Sequence, residues 1–365
     1  MKNFLPNYIV TTFLHNGKRY TQRRIILASI LLLFSGLVYL IYHVTFNIGI
    51  WYGNPYVGTW CRYEKVPKFA VKHEPDEITV VTSLFDLGLV KKGNGLLDYH
   101  SPFKYKQWVR PFSKLTNPVV VFVEDDETAE YVKKVRSCIP TTHTKIIKVK
   151  RKDLWAFSLF RQIKDIYSQS VYPKHYPYTT SAEFSCLTHA KYEFLLNVTQ
   201  ENYFKTPYFA WVDVTAFRKL DESGTGIFKL IPPAKFDREK VGFTQVGPHD
   251  PHLDLAFVMM YRAVWVSGSM VLGTNSTIKR FVQMYKKSVE YLLDKKGLAN
   301  TDEHVIYAMY TQKMKQPDQV KIHTYRCHQG QLGLTGKDAY YYCLLYLCKY
   351  TWENIHGGVA SKIGL

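Results

Sequence analysis

The chain has 365 residues, with 48 Lys and Arg against 30 Asp and Glu, a formal net charge of +18 and 46% hydrophobic residues. It carries no low-complexity run and no repeat at solenoid periods, which excludes a repeat array, and its length suffices for one large domain or two small ones. So basic a chain selects anionic partners: nucleotide diphosphates, acidic glycans, membrane headgroups or nucleic acid.

The N-terminus fixes the topology expected of the chain. Lys2, Lys18, Arg19, Arg23 and Arg24 precede an uncharged stretch from Ile25 to Tyr42, and no acid does. About 20 apolar residues in a helix span a hydrocarbon core of roughly 30 Å. The stretch is too long and starts too late for a cleaved signal peptide, and no small-residue cleavage site follows it. The positive-inside rule keeps the basic end cytosolic. The expected organisation is therefore a cytosolic tail over 1–24, a transmembrane signal-anchor over 25–46, a stem over 47–75 and a lumenal domain over 76–365. This is a single-span type II protein of the Golgi or endoplasmic reticulum membrane. Removing the five tail charges leaves +13 (18 − 5) on the lumenal side, and lumenal placement argues against nucleic acid as a partner. All six cysteines (Cys61, Cys138, Cys186, Cys327, Cys343 and Cys348) lie beyond the anchor. An even set in an oxidising lumen points to disulfides, with buried free thiols as the alternative for some of them. Asn197 and Asn275 head glycosylation sequons.

Further along, residues 78–84 read as a buried strand, followed by a Gly-rich turn, and 101–115 suit a helix. A continuous apolar strand over 118–123 leads into the acidic run 124–127 and a helix over 128–136. A strand over 145–149, a helix over 153–170, a Tyr/Pro/Thr loop over 171–181 and a helix over 182–200 follow. Tyr208–Val212 is a strand ending at Asp213. Short strands lie within 227–246, and 253–273 alternates apolar runs around Ser267-Gly268-Ser269, which are expected between two strands. Helices are predicted from about 277 to 293 and from about 301. Continuous apolar strands alternating with helices predict an α/β fold whose mostly parallel sheet is buried on both faces.

In such sheets ligands bind beyond the carboxyl ends of strands. Three ends carry polar groups: Thr82, Ser83 and Asp86 after the first strand, the 124–127 acids after the second, and Asp213 with Thr215 after Tyr208–Val212. Asp213 is the strongest candidate, because a carboxylate there can hold a divalent cation (Mn or Mg) that neutralises a diphosphate leaving group. The 124–127 acids read better as helix caps. Gly268 allows close approach of backbone to a ligand, although a bulge or tight turn is the simpler reading. Asp302 and Glu303 open a helix after Thr301, either as cap-region acids or as a general base. His323 and His328 flank Cys327 as metal-ligand candidates or polar loop residues.

Taken together, these segments resemble the HtrL/YibB family. The resemblance rests on Val80–Gly88, Val121–Asp125 with Arg136 downstream, Ala190-Lys191, Tyr208–Asp213, Trp265–Met270 and Asp302-Glu303. It spans roughly residues 78–315, and its specificity lies in the order and spacing of the motifs. It implies a GT-A-like fold and a glycosyltransferase that takes a nucleotide-sugar donor and a glycan, glycoprotein or glycolipid acceptor. On that reading Thr82, Ser83 and Asp86 line the nucleotide site, and Asp213 faces the diphosphate directly or through a metal. Gly268 and Ser269 shape the junction of donor and acceptor, and Asp302 or Glu303 is the base if the reaction inverts. The family has a small residue and glycine after its tryptophan–aspartate element, where this chain has Val214-Thr215. Neither form is a full Asp-x-Asp, so a cation held partly through water and a metal-free reaction both stay open. The competing functions are a membrane-anchored glycan-binding or scaffolding protein and a sulfotransferase. The latter lacks support because Thr82–Gly88 holds no lysine to cradle a phosphate.

Overall fold

The computed structural model describes residues 24, 26–41, 76–95, 98–218, 226–333, 336 and 340–351. The chain divides into two units, Met1–Gly53 and Asn54–Leu365. In the first, 26–41 is helical and its apolar side chains, from Ile26 to Ile41, are exposed. Among the described residues no helix is long and apolar enough to cross a membrane. The other residues of the expected anchor, and the stem up to residue 75, lie outside the described residues.

The second unit is the expected α/β domain. Its strands are β1 (Ile78–Leu84), β2 (Val90–Lys91), β3 (Tyr99–His100), β4 (Val119–Val123), β5 (Thr144–Lys148), β6 (Tyr208–Val212), β7 (Phe228–Leu230), β8 (Lys240–Gln245), β9 (Val266–Thr274), β10 (Lys321–Tyr325) and β11 (Lys349–Thr351). Seven of them form one sheet in the order β10-β8-β9-β6-β1-β4-β5. Four pairings are parallel, and β9 runs antiparallel between β6 and β8. The helices are α1 (Pro102–Val109), α2 (Asp126–Val135), α3 (Trp155–Ser158), α4 (Phe160–Ser168), α5 (Ala182–Glu201), α6 (Leu255–Tyr261), α7 (Asn275–Tyr291), α8 (Asp302–Met309) and α9 (Cys343–Cys348).

The period of two along each strand splits the core into two layers. Val81, Phe209 and Trp211 face a cluster built with α5, α7 and α8. Val80, Tyr208, Ala210 and Val212 face a second cluster with α2 and α9. Burial on both faces is why the strands read as unbroken apolar runs.

Two sequence expectations change. Ser267-Gly268-Ser269 do not separate two strands but lie inside the single strand β9, and the register irregularity falls in the pairing with β8, at Phe243/Thr244. The helix expected over 153–170 is two, α3 and α4, meeting at Leu159. At that break the Ser158 hydroxyl donates back to the Trp155 carbonyl at 2.6 Å, a bond that competes with the helical ladder. The cysteines realise both alternatives. Cys327 and Cys343 form a disulfide and Cys138 is also disulfide-bonded, whereas Cys186 and Cys348 are buried free thiols.

Candidate active site

The site is assembled by register. β1 and β6 run parallel with Val81 opposite Trp211, so their carboxyl ends lie side by side. β9 runs the other way with Met270 opposite Val212, which brings its first residues to the same edge. The Asp213 amide then donates to the Ser269 carbonyl at 2.9 Å. α8 begins at Asp302, and the Glu303 carboxylate accepts from the Gly268 amide at 2.9 Å. Across this edge lies α5, capped by the Ser181 hydroxyl and apolar enough to bury residues on most of its circumference.

In the middle of α5, Lys191 is 5% exposed. Its ammonium lies 2.9 Å from Asp302 Oδ2 and 3.9 Å from Asp213 Oδ1, and it donates to the Gly268 carbonyl at 3.0 Å. Burial opposes the charge, but Asp213 and Asp302 outweigh it and hold the Lys191 pKa above the ordinary lysine value. Asp302 also accepts from the Tyr192 hydroxyl at 3.1 Å. The Trp211 indole N–H donates to Asp213 Oδ1 at 2.7 Å, yet burial still raises the Asp213 pKa. Glu303, further from the ammonium, is pushed up to about 7 by burial and by the neighbouring Asp302 charge. A β-carbon on Gly268 would come within 2.2 Å of Asp302 Oδ2 and 2.9 Å of Lys191 Nζ, so the ion pair occupies the space that a side chain would need.

These groups face a cavity of about 620 Å³, within the range of small-molecule sites. Lys191, Asp213, Gly268, Ser269, Asp302 and Glu303 all line it. Its outer wall is aromatic and basic, including Tyr176, Tyr178 and Arg262, whose guanidinium lies 4.1 Å over the Tyr178 ring. A narrower cleft adjoins it, sharing Lys92, Lys191 and Asp213 and lined on its far side by Ser83, Phe85 and Trp211. Burial lowers the Lys92 pKa to about 8, against the pull of Asp213.

Of the residues singled out from sequence, Ser83, Asp213, Gly268, Ser269, Asp302 and Glu303 come together. Thr82 and Asp86 do not line either cavity. Alternation along β1 turns Thr82 into the sheet layers, where its buried hydroxyl has no hydrogen-bond partner among the described residues. The exposed Asp86 instead closes a local turn by accepting from the Gly88 amide at 2.7 Å. The 124–127 acids are structural. Asp125 caps α2 through the Thr128 amide, and Glu124 pairs with Arg151 at 2.6 Å. His323 lies in β10 and stacks on Phe236, and His328 is exposed. Thr301 precedes α8 without a capping side-chain bond; its hydroxyl pairs with His304 at 3.1 Å. Sequence reading missed Lys191, Lys92, Tyr192 and Arg262 as site residues. Polar and apolar residues alternate along α5, so the sequence carries no signal that Lys191 is buried.

The donor set does not fit a divalent cation. Asp213 offers one carboxylate, already bonded to an indole N–H, and a cation there would share its surroundings with the buried Lys191 ammonium. Among the described residues no group of three His, Cys, Asp or Glu is arranged to hold a metal.

Among solved structures, the apo form of mouse xyloside xylosyltransferase 1 is similar, at 12% identity and a TM-score of 0.36, covering 78% of this chain and 100% of that one. A likeness that distant assigns no function. No curated protein matches. The family described as "bacterial protein of unknown function (HtrL_YibB)" matches residues 76–325, from just before β1 to the last residue of β10. The chain belongs to the HtrL/YibB family.

Proposed function

We propose that the α/β unit is a glycosyltransferase that takes a nucleotide-diphosphate sugar and transfers the sugar to a glycan, glycoprotein or glycolipid acceptor. The observation that carries this reading is the convergence of Lys191, Asp213, Asp302 and Glu303 on one cavity at the carboxyl ends of β1 and β6. Ligands of open α/β sheets bind at such an edge. The resemblance to the HtrL/YibB family, which implies a nucleotide-sugar enzyme, points the same way.

In a direct displacement the acceptor hydroxyl oxygen attacks the anomeric carbon and gives its proton to Glu303. The bond from that carbon to the diphosphate oxygen breaks, and its electron pair leaves with the diphosphate. Glu303 suits the base because its pKa of about 7 lies near the working pH and, among the described residues, it accepts only from the Gly268 amide. Asp302 does not suit it, being tied to Lys191 and Tyr192. The aromatic and basic outer wall is the side from which the acceptor enters.

We further propose that 25–46 anchors the chain in the Golgi or endoplasmic reticulum membrane with this unit lumenal. The exposed apolar helix over 26–41, the Cys327–Cys343 disulfide and the exposed Asn197 and Asn275 support that placement.

The test is a panel of nucleotide sugars against the purified full chain, read by thermal shift and by nucleotide release. One nucleotide class at 100 times its Kd should stabilise the fold by about 2.7 kcal/mol. Asp213→Ala should abolish release in a chain that still melts cooperatively. A flat screen sinks the transferase and favours a glycan-binding protein; full activity of Asp213→Ala sinks the site.

A further inference from the structure

We infer that the Lys191 ammonium, fixed between Asp213 and Asp302 and against the Gly268 carbonyl, is the cation that receives the departing diphosphate, in place of a bound metal ion. The inference rests on the glycosyltransferase reading and adds to it which group carries the positive charge.

The geometry carries the argument. A catalytic cation needs a fixed position, a charge that survives burial and an open side toward the ligand. α5 supplies the position, because Lys191 is 5% exposed in a helix buried on most sides. The two carboxylates keep the ammonium charged despite burial. Two of its three N–H groups have short partners, Asp302 at 2.9 Å and the Gly268 carbonyl at 3.0 Å. Among the described residues the third has nothing closer than the longer 3.9 Å approach to Asp213, and Lys191 lines both cavities. An ammonium has three donors and no acceptor, so a ligand oxygen is the group that this third N–H can still take.

The surroundings are shaped to the same end. Gly268 has no side chain where one would collide with the ion pair. Asp213, the residue that a metal would need, is bonded to Trp211 and turned toward the ammonium. Lys92 lines both cavities as well, giving a second positive charge along the path of the leaving group. When the bond from the anomeric carbon to the diphosphate breaks, the electron pair and the new charge stay on the diphosphate. Lys191 neutralises them with an N–H···O contact, supplying the charge that a Lewis-acidic metal would otherwise supply. Preorganised charge of this kind acts without reorganisation at the moment of reaction.

The test is calorimetric titration of the full chain in detergent with UDP, GDP and CDP, each in EDTA and in manganese chloride. One diphosphate should bind with the same affinity in both buffers. Asp302→Asn, which leaves the ammonium less neutralised, should bind it more tightly, and weaker binding by this variant overturns the inference. The paired variant Lys191→Gln with Asp302→Asn removes one charge of each sign, so the net charge of the cluster is unchanged, and it should bind about tenfold or more weakly. Diphosphate binding that needs manganese, or a paired variant that binds like the wild type, overturns the inference and leaves the transferase reading standing. Binding of no diphosphate in either buffer overturns both.

Discussion

Gly268 is the residue on which the site is most exposed to a single change. A methyl group there would sit 2.2 Å from Asp302 Oδ2 and 2.9 Å from Lys191 Nζ. Gly268→Ala must therefore displace the ion pair, and loss of nucleotide release together with a lower melting temperature is expected. Gly88 is the control. It has φ of +66° and nothing within 4 Å of a β-carbon, so Gly88→Ala meets only left-handed backbone strain of about 1–2 kcal/mol, with release retained. Equal effects of the two substitutions in melting and turnover assays would contradict the steric reading. Glu303 gives the pH prediction. Its folded carboxyl titrates at about 7 against an ordinary 4.5. As a base it must be ionised, so turnover should rise as pH climbs through about 7. For stability the sign is opposite: the folded state keeps a proton that the unfolded state releases near 4.5. Stability attributable to this group therefore falls as pH rises from 4.5 to 7. Glu303→Gln should lose about 10²–10⁴ in turnover yet melt higher than wild type at pH 8, the gap closing at acid pH. A variant that melts lower at pH 8 would show that the carboxylate stabilises the fold instead.

At the scale of elements, Arg136 ties together the edge of the sheet that carries no chemistry. From the end of α2 its guanidinium donates to the carbonyls of Phe112 at 2.8 Å, Asn117 at 3.1 Å and His143 at 3.2 Å, to that of Leu115, and to the Thr144 hydroxyl at 3.0 Å. Arg136→Met strands several buried acceptors at about 1–3 kcal/mol each, so a drop of about 3 kcal/mol or more is expected. The urea midpoint should fall with the slope unchanged. Lysine, with three donors in place of a planar fork, should recover only part of this, and a methionine variant as stable as wild type would refute the role. Arg136 entered the sequence reading as part of a family motif, and its role proves architectural. That contrast runs through the whole chain. The central strands were legible because burial on both faces leaves an unbroken apolar run, whereas β10, an edge strand with polar residues, has no such run and was not. Two further features were not legible. The antiparallel insertion of β9 depends on pairing distant in sequence, and a Gly between two Ser reads as a break although it lies inside one strand, its amide and carbonyl bonded to Glu303 and Lys191. Asp213, Asp302 and Glu303 could be picked out because acids end an apolar strand or open a helix. Lys191 could not, because a lysine in a helix usually faces water and only the tertiary fold buries this one.

At the scale of the whole molecule the proposed anchor is tested by which side of a membrane the α/β unit occupies, and the fold constrains how the two sequons report on it. Asn197 and Asn275 are exposed, but Thr199 and Thr277 are fully buried. The Asn275 side-chain amide also donates to the Thr199 carbonyl, so the two sequons share one patch of surface. A glycosylating enzyme must reach both the asparagine and the hydroxyl two residues on. In the folded unit it cannot, because Thr277 is held in the capping box of α7 and the Thr199 hydroxyl bonds the Leu196 carbonyl at 2.8 Å. On the proposed lumenal placement, glycans would have to be added while the chain is still entering the lumen. Translation with microsomes present should give two increments in mass, one removed by Asn197→Gln and one by Asn275→Gln, and the unit should resist protease until detergent is added. Microsomes supplied after synthesis and folding should give neither increment. If the co-translational product carries no glycan and is digested without detergent, the unit faces the cytosol and the anchor has the opposite orientation.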